Sequence, residues 1–298
     1  MLSVLIPVYN YSVFPLVLEV HKQCIAAGIP FEILCQDDCS TSHIEENLAI
    51  EQLPYCTFSK NKVNLGRGNN RNLLIQKAQF DWLLLLDCDT FPRDSFFIKN
   101  YLSFIQKPIS SLVFGGIIYH PKKPHNSQLL RWVYGQKREA LPCNIRNKKP
   151  NSSALTSNLL IKKEIATQFP FPESLKEYGY EDFCFLTNLA SHNITVFHLD
   201  NPTFHLNLET STAFLAKTEM AQKNLLFLVR HQIIDTKESK IARVFLLVEK
   251  LKLVGLLSWM FQKTKKKVSR NLCSKKPSLL LFDWYKLGYL CHLQTNAV

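Results

Sequence analysis

Short apolar runs recur along this chain with helix-length stretches between them, and that rhythm restricts the folds open to it. Ser3–Val8 (SVLIPV), Phe31–Gln36 (FEILCQ), Trp82–Asp87 (WLLLLD), Ser111–Tyr119 (SLVFGGIIY) and Ile194–Leu199 (ITVFHL) are the predicted strands, with helices predicted over 66–79 and 94–106. Runs that are apolar throughout, rather than alternating, predict strands covered on both faces. The strand–helix–strand order then predicts an α/β protein built on a mostly parallel sheet. Ligands collect at the carboxyl ends of such strands. That rule gathers Tyr9, Asp37, Asp38, Asp87 and Asp89 on one edge.

The run of four leucines ends in two carboxylates, Asp87 and Asp89, separated only by Cys88. Two acids on a strand-end turn can share a hard divalent cation, and Mg²⁺ or Mn²⁺ held by one or two carboxylates keeps positions open for phosphate oxygens. A solvated turn has the same composition, so other stretches must decide. Asp37, Asp38 and Ser40 close the second strand with acceptors suited to a nucleobase or to ribose hydroxyls. In NLGRGNNRN, residues 64–72, glycines and asparagines expose backbone N–H groups at a helix start, where Arg67 and Arg71 can pair with phosphate. Glu181 and Asp182 open a later helix, either as first-turn acids favoured by the helix dipole or as a general base. His205 is a lone histidine after a strand, structural or metal-binding.

In this order and spacing the stretches resemble the family-2 glycosyltransferases, inverting enzymes of the GT-A fold, over roughly residues 1–209. SVLIPVYN is similar to the family's first strand, EILCQDDCS to its second, the stretch from Asn64 to Thr90 to the helix and strand that lead to its DxD, and NLLIKKE with GYEDFCF to its acceptor side. The resemblance implies a Rossmann-like GT-A domain with helices on both faces of the sheet. It implies that Pro7, Tyr9, Asp38, Arg71 and Asp87 border the nucleotide, Asp38 at the base and Asp87 at the ribose or the metal's water shell. Asp89 would hold Mn²⁺ or Mg²⁺, with His205 completing the site. Asp182 would deprotonate the acceptor hydroxyl, with Glu181 beside it. The implied reaction moves a sugar from a nucleotide diphosphate sugar, UDP-linked by preference, to a glycan or lipid-linked acceptor in polysaccharide or glycolipid assembly. Two features depart from the pattern. Cys39 stands where the family has glycine, and Gln128–Trp132 matches a QxxRW motif of processive synthases but precedes the catalytic acid, a coincidence in a non-processive enzyme.

Charge divides the chain. Residues 236–298 hold 13 Lys/Arg against 3 Asp/Glu and so carry +10 of the +12, which predicts a boundary near 235 between a catalytic domain (1–235) and a basic, apolar helical extension (236–298). Within the extension, Ile241, Val244, Val248, Leu251 and Trp259 share one charge-free helical arc. The extension fits either an anionic membrane surface contacted through 241–286 or a packed appendage, and its few polar base-reading residues argue against nucleic acid. Nine cysteines without a CxxC pair, no signal sequence and no apolar run of spanning length predict a cytoplasmic protein, at most peripheral at the inner face of the membrane. Two alternatives stay open: a haloacid-dehalogenase-like phosphatase using Asp87 as nucleophile, and an inactive membrane-binding module.

Overall fold

The computed structural model describes residues 1–107, 111–175 and 178–296. Its strands are β1 (Leu2–Val8), β2 (Phe31–Asp37), β3 (Cys56–Lys60), β4 (Trp82–Leu86), β5 (Thr90–Pro92), β6 (Leu112–Phe114), β7 (Ile117–Ile118), β8 (Asn158–Lys162), β9 (Phe197–His198) and β10 (Thr203–His205). Its α-helices are α1 (Phe14–Ala27), α2 (Ile44–Leu48), α3 (Arg67–Lys77), α4 (Phe97–Ile105), α5 (Leu129–Tyr134), α6 (Cys143–Arg146), α7 (Lys163–Gln168), α8 (Glu181–Ser191), α9 (Ser211–Arg230), α10 (Lys240–Lys250), α11 (Val254–Leu272) and α12 (Leu279–Asn296). They form two compact units. One comprises Met1–His120, Glu139–Lys176 and Glu181–Asn207; the other comprises Pro121–Arg138, Glu177–Tyr180 and Leu208–Val298.

The first unit is a seven-stranded sheet in the order β3-β2-β1-β4-β8-β6-β9, in which β8 runs antiparallel to both neighbours and every other pairing is parallel. The leucine run shows why these strands lack alternation. Trp82, Leu84 and Leu86 join one core with α1 and α4, whereas Leu83 and Leu85 join the opposite core with α3 and α8. Successive side chains point to opposite faces, so a strand covered on both sides must be apolar at every position. A smaller sheet, β5-β10-β7, stands beside it. Its antiparallel pairing sets His205 opposite Thr90, next to Asp89.

The stretch predicted as one strand over 111–119 breaks at Gly115–Gly116 into β6 and β7, which belong to different sheets. Ile194–Leu199 yields only the two-residue β9. β3 and β8 carry no prediction; CTFSK has the composition of a half-exposed strand, and NLLIK holds a three-residue apolar run, shorter than that of β4.

The second unit packs α5, α9, α11 and α12 around Leu130, Phe214, Phe261, Phe282 and Tyr285. Gly288 lets α12 approach α11 closely, since an added Cβ would lie 2.6 Å from Phe261 Cδ2. The continuous arc expected over 241–261 does not form. α10 ends at Lys250, the backbone turns through a left-handed Lys252 (φ 58°), and α11 begins at Val254. Val248 and Trp259 therefore part company, one buried and the other 58% exposed. Gln128 and Arg131 of the QxxRW match serve packing: Gln128 donates to the Leu208 carbonyl at 2.6 Å and Arg131 lies over the Phe214 ring.

Candidate active site

All the expected site residues lie in the first unit, on elements that end at one edge of its sheet. Arg71, on the inward face of α3, is 1% exposed and donates from Nη1 to Asp182 Oδ1 (2.6 Å) and from Nη2 to Asp87 Oδ1 (2.7 Å). Arg67, one turn earlier, pairs with Asp87 Oδ2 and stands 3.5 Å from Glu181 Oε1. Residues four apart share a helix face, so α3 presents both guanidinium groups to one cluster of three acids. Burial works to raise the Asp182 carboxyl, but the charges of Arg71 and Arg67 prevail and hold it below its usual range. The adjoining Glu181 goes the other way: burial and the charge of Asp182 raise it, despite the same two arginines. Two neighbouring carboxyls thus differ in proton affinity because Arg71 bonds one of them directly.

Asp38 is buried and engaged by its own loop, where its carboxylate accepts from Leu65 N (2.8 Å), Gly66 N (3.0 Å) and Asn61 Nδ2 (2.8 Å). Asn61 and Asn70 continue that network to the Gln36 carbonyl. Asp38 therefore fixes the glycine turn that launches α3, and through it the two arginines. Gly66, at φ 83°, supplies the left-handed backbone that the turn requires. Cys39 also adopts positive φ (66°), which accounts for the place of glycine in the family pattern. Pro7 pairs across to Gln36 near the end of β1, and Tyr9 beyond it is 55% exposed.

Asp89 approaches His205. Its Oδ2 is 3.7 Å from His205 Nε2, an approach fixed by the β5–β10 register and by a hydrogen bond from Leu206 N to the Asp89 carbonyl. Tyr11, singled out by no sequence signal, is pushed up to about 12 by burial and by the nearby charges of Asp89 and Cys88, and so stays a neutral donor.

A family model described as "Glycosyl transferase family 2" matches residues 3–167, more than half of the chain. The chain belongs to that family. As a family 2 glycosyltransferase it is an enzyme, and the phosphatase alternative falls; the geometry agrees, because both oxygens of Asp87 are engaged by arginines. No curated protein matches the chain by sequence. Solved structures share its fold. TarS of S. aureus superimposes with TM-score 0.52 at 19% identity over 76% of this chain, which spans 39% of that longer protein. A mannosyltransferase from Pyrobaculum calidifontis, in complex with GDP-Man and Mn²⁺, gives 0.57 at 14% identity, covering 99% of this chain and 86% of that one. Glucosyl-3-phosphoglycerate synthase from Mycobacterium tuberculosis, with Mn²⁺, UDP and glucosyl-3-phosphoglycerate, gives 0.52 at 16% identity, covering 79% and 81%.

The donor set of this glycosyltransferase suits a cation shared with substrate. Among the described residues no three His, Cys, Asp or Glu side chains converge into a cage. Asp89, just before β5, and His205, at the end of β10, offer one oxygen and one nitrogen. Such a pair would suit Mn²⁺ or Mg²⁺ only with further donors from outside the chain, and is too little for a closed structural site.

Proposed function

We propose that this glycosyltransferase transfers a sugar, with inversion, from a nucleotide diphosphate sugar to a hydroxyl of a glycan or lipid-linked acceptor. The observation that carries this reading is the pair of clusters at one sheet edge: Asp182 held by buried Arg71, and Asp89 facing His205. The complexes of the structural relatives with UDP, or with GDP-Man and Mn²⁺, support a nucleotide-sugar donor with a divalent cation. UDP remains the preferred nucleotide.

Asp89 and His205 would hold the cation, whose chemistry is to offset negative charge on the departing diphosphate. Arg67 has one third of its side chain exposed and can leave Asp87 for a donor phosphate, whereas Arg71 stays with the carboxylates. Pro7, Tyr9 and Asp38 would frame the base, Asp38 by shaping the loop around it. Asp182 takes the proton of the acceptor hydroxyl. A carboxylate held so firmly ionised is a weak base, so it accepts that proton only as the attacking oxygen becomes acidic on bonding to the anomeric carbon. Glu181 beside it has the higher proton affinity and can receive the proton next.

Residues 1–235 would then be the catalytic domain, and the basic extension of 236–298 would bring it to a membrane surface where a lipid-linked acceptor waits, in surface polysaccharide or glycolipid assembly. No helix among the described residues is long and apolar enough to cross a membrane, so the contact would be peripheral. A panel of nucleotide sugars with Mn²⁺ tests the reaction through released nucleoside diphosphate. One donor should be cleaved by the wild type and spared by Asp89→Ala and Asp182→Ala; no cleavage of any donor would sink the reading.

A further inference from the structure

The extension has two apolar faces, and only one of them is used. In α10 the buried positions are Ala242, Phe245 and Val248, and in α11 they are Ser258, Phe261, Val268 and Leu272. These stripes satisfy what packing requires of each helix. A second apolar set flanks the corner between the two helices and faces solvent: Leu247 (55% exposed), Leu251 (56%), Leu256 (52%) and Trp259 (58%), with Leu253 and Met260 close behind. Large apolar side chains concentrated this way mark an interaction surface, not ordinary scatter.

Charge decides what covers it. Nine cations and no acid lie between Glu249 and Asp283. The flanking acids are engaged within the unit, Glu249 with Arg230 and Asp283 with Arg138 and Lys286. A second copy of this chain would bring the same cations against these and repel. Nucleic acid would satisfy the lysines but leave the leucines in water. An anionic bilayer satisfies both.

The spacing along α11 fits that partner. Leu256, Trp259, Lys263, Lys266, Lys267 and Arg270 follow one another at helical intervals down one face, apolar first and basic after. At about 1.5 Å per residue, Leu256 lies roughly 10 Å from Lys263 along α11, so a helix entering corner-first would carry Leu256 below the headgroups that Lys263 meets. Tryptophan between them has the amphipathic ring suited to that boundary. Lys250 and Lys252, at the corner itself, can extend their stems back toward the headgroups.

We propose that the α10–α11 corner inserts into an anionic bilayer surface, with the lysines of α11 at headgroup level. This rests on the peripheral-membrane reading and narrows it: the contact is the tip formed by residues 247–267, while α12, buried in the unit's core at Phe282, Tyr285 and Tyr289, stays away from lipid.

The full chain is floated with vesicles of phosphatidylcholine alone and of equal parts phosphatidylcholine and phosphatidylglycerol, beside a Leu256→Asp/Trp259→Asp variant and a Lys263→Glu/Lys266→Glu/Lys267→Glu variant, all checked by circular dichroism. The exchanged side chains are exposed, so the helices should persist. The wild type should bind the anionic vesicles, the corner variant should lose at least about tenfold in partitioning, and the lysine variant should lose the preference for anionic lipid. A corner variant that floats like the wild type overturns the assignment of the corner but leaves membrane contact elsewhere standing. No flotation by any form overturns both. A dimer in sedimentation that the corner variant disperses, with no vesicle binding, makes the face a self-interface and overturns the proposal.

Discussion

Arg71 holds Asp182 at 2.6 Å while its other amino group holds Asp87 at 2.7 Å, so a single buried guanidinium ties the end of β4 to the start of α8. Arginine can do this because its planar fork presents two donors at fixed geometry; an ammonium presents a point charge. Asp87 is also met by Arg67, so removal of Arg71 would leave the three acids Asp87, Glu181 and Asp182 with one cation.

Arg71→Ala should therefore lose about 3–5 kcal/mol of stability in denaturant unfolding, the usual cost of breaking a buried ion pair from one side. Arg71→Lys should recover only part of it, being able to reach one carboxylate at a time. Because the folded-state pKa of Asp182 is lowered, its contribution exists above its unfolded value of about 3.9 and disappears as pH falls through the folded one. The difference between wild type and Arg71→Ala should accordingly shrink in acid. Equal stability of the two at neutral pH would show that the pairing contributes nothing.

Glu181 has the opposite sign. Its folded-state pKa is raised by burial and by Asp182, so the folded protein binds its proton more tightly than the unfolded chain does. That favours folding below the unfolded value of about 4.3, and the advantage is lost as pH rises through the raised value. Glu181→Gln keeps the shape and removes the charge. Its thermal midpoint should exceed that of the wild type at pH 8, the gap should close toward pH 4, and transfer should slow. A midpoint at pH 8 equal to or below the wild type's would mean that the contact with Arg67 outweighs the burial.

At the second cluster the expected outcome concerns metal and not folding, since Asp89 and His205 sit at the rim with side chains 21% and 13% exposed. Asp89→Ala should weaken Mn²⁺ binding in the presence of UDP by about a hundredfold and His205→Ala by about tenfold, roughly 3 and 1.4 kcal/mol. Both should unfold at nearly the wild-type temperature. Calorimetric titration reads the affinities; unchanged binding in Asp89→Ala would place the cation elsewhere.

Much of this was legible in the sequence because the signals are local. An apolar run such as Leu83–Leu86 states its own burial on both faces, and acids directly after such runs must lie at the sheet edge. The partnership of Arg71 with Asp182 was not legible. The two are 111 positions apart, and no local pattern distinguishes an arginine that binds phosphate from one that clamps carboxylates. β8 was missed for another reason: its apolar run, Leu159–Ile161, is only three residues long, too short to stand out as a strand covered on both faces. The break in SLVFGGIIY was written in its two glycines, but that the strand changes sheets there depends on what packs against them.

Gly115 tests that last point. It sits at the β6–β7 break, where its N–H donates to the Asn158 carbonyl (3.1 Å) and its own carbonyl accepts from Asn201 N (3.0 Å). Asn158, wholly buried, closes the junction by donating to the Gly116 and Asn201 carbonyls while accepting from the Tyr101 hydroxyl at 2.6 Å. A Cβ added at Gly115 would collide with the Tyr101 hydroxyl and the Asn201 carbonyl and come within 2.6 Å of Asn158 Nδ2. One of those atoms is backbone and the others are fixed by hydrogen bonds, so none can give way without breaking the junction. Gly115→Ala should cost about 3 kcal/mol and lower the melting temperature by roughly 6–12 °C. At Gly28, a methyl group meets no neighbour within 4 Å and the obstacle is only its φ of 64°, so Gly28→Ala should cost about 1 kcal/mol. If the two alanine variants melted together, the junction would be a tolerant loop, and the change of sheet would need another explanation.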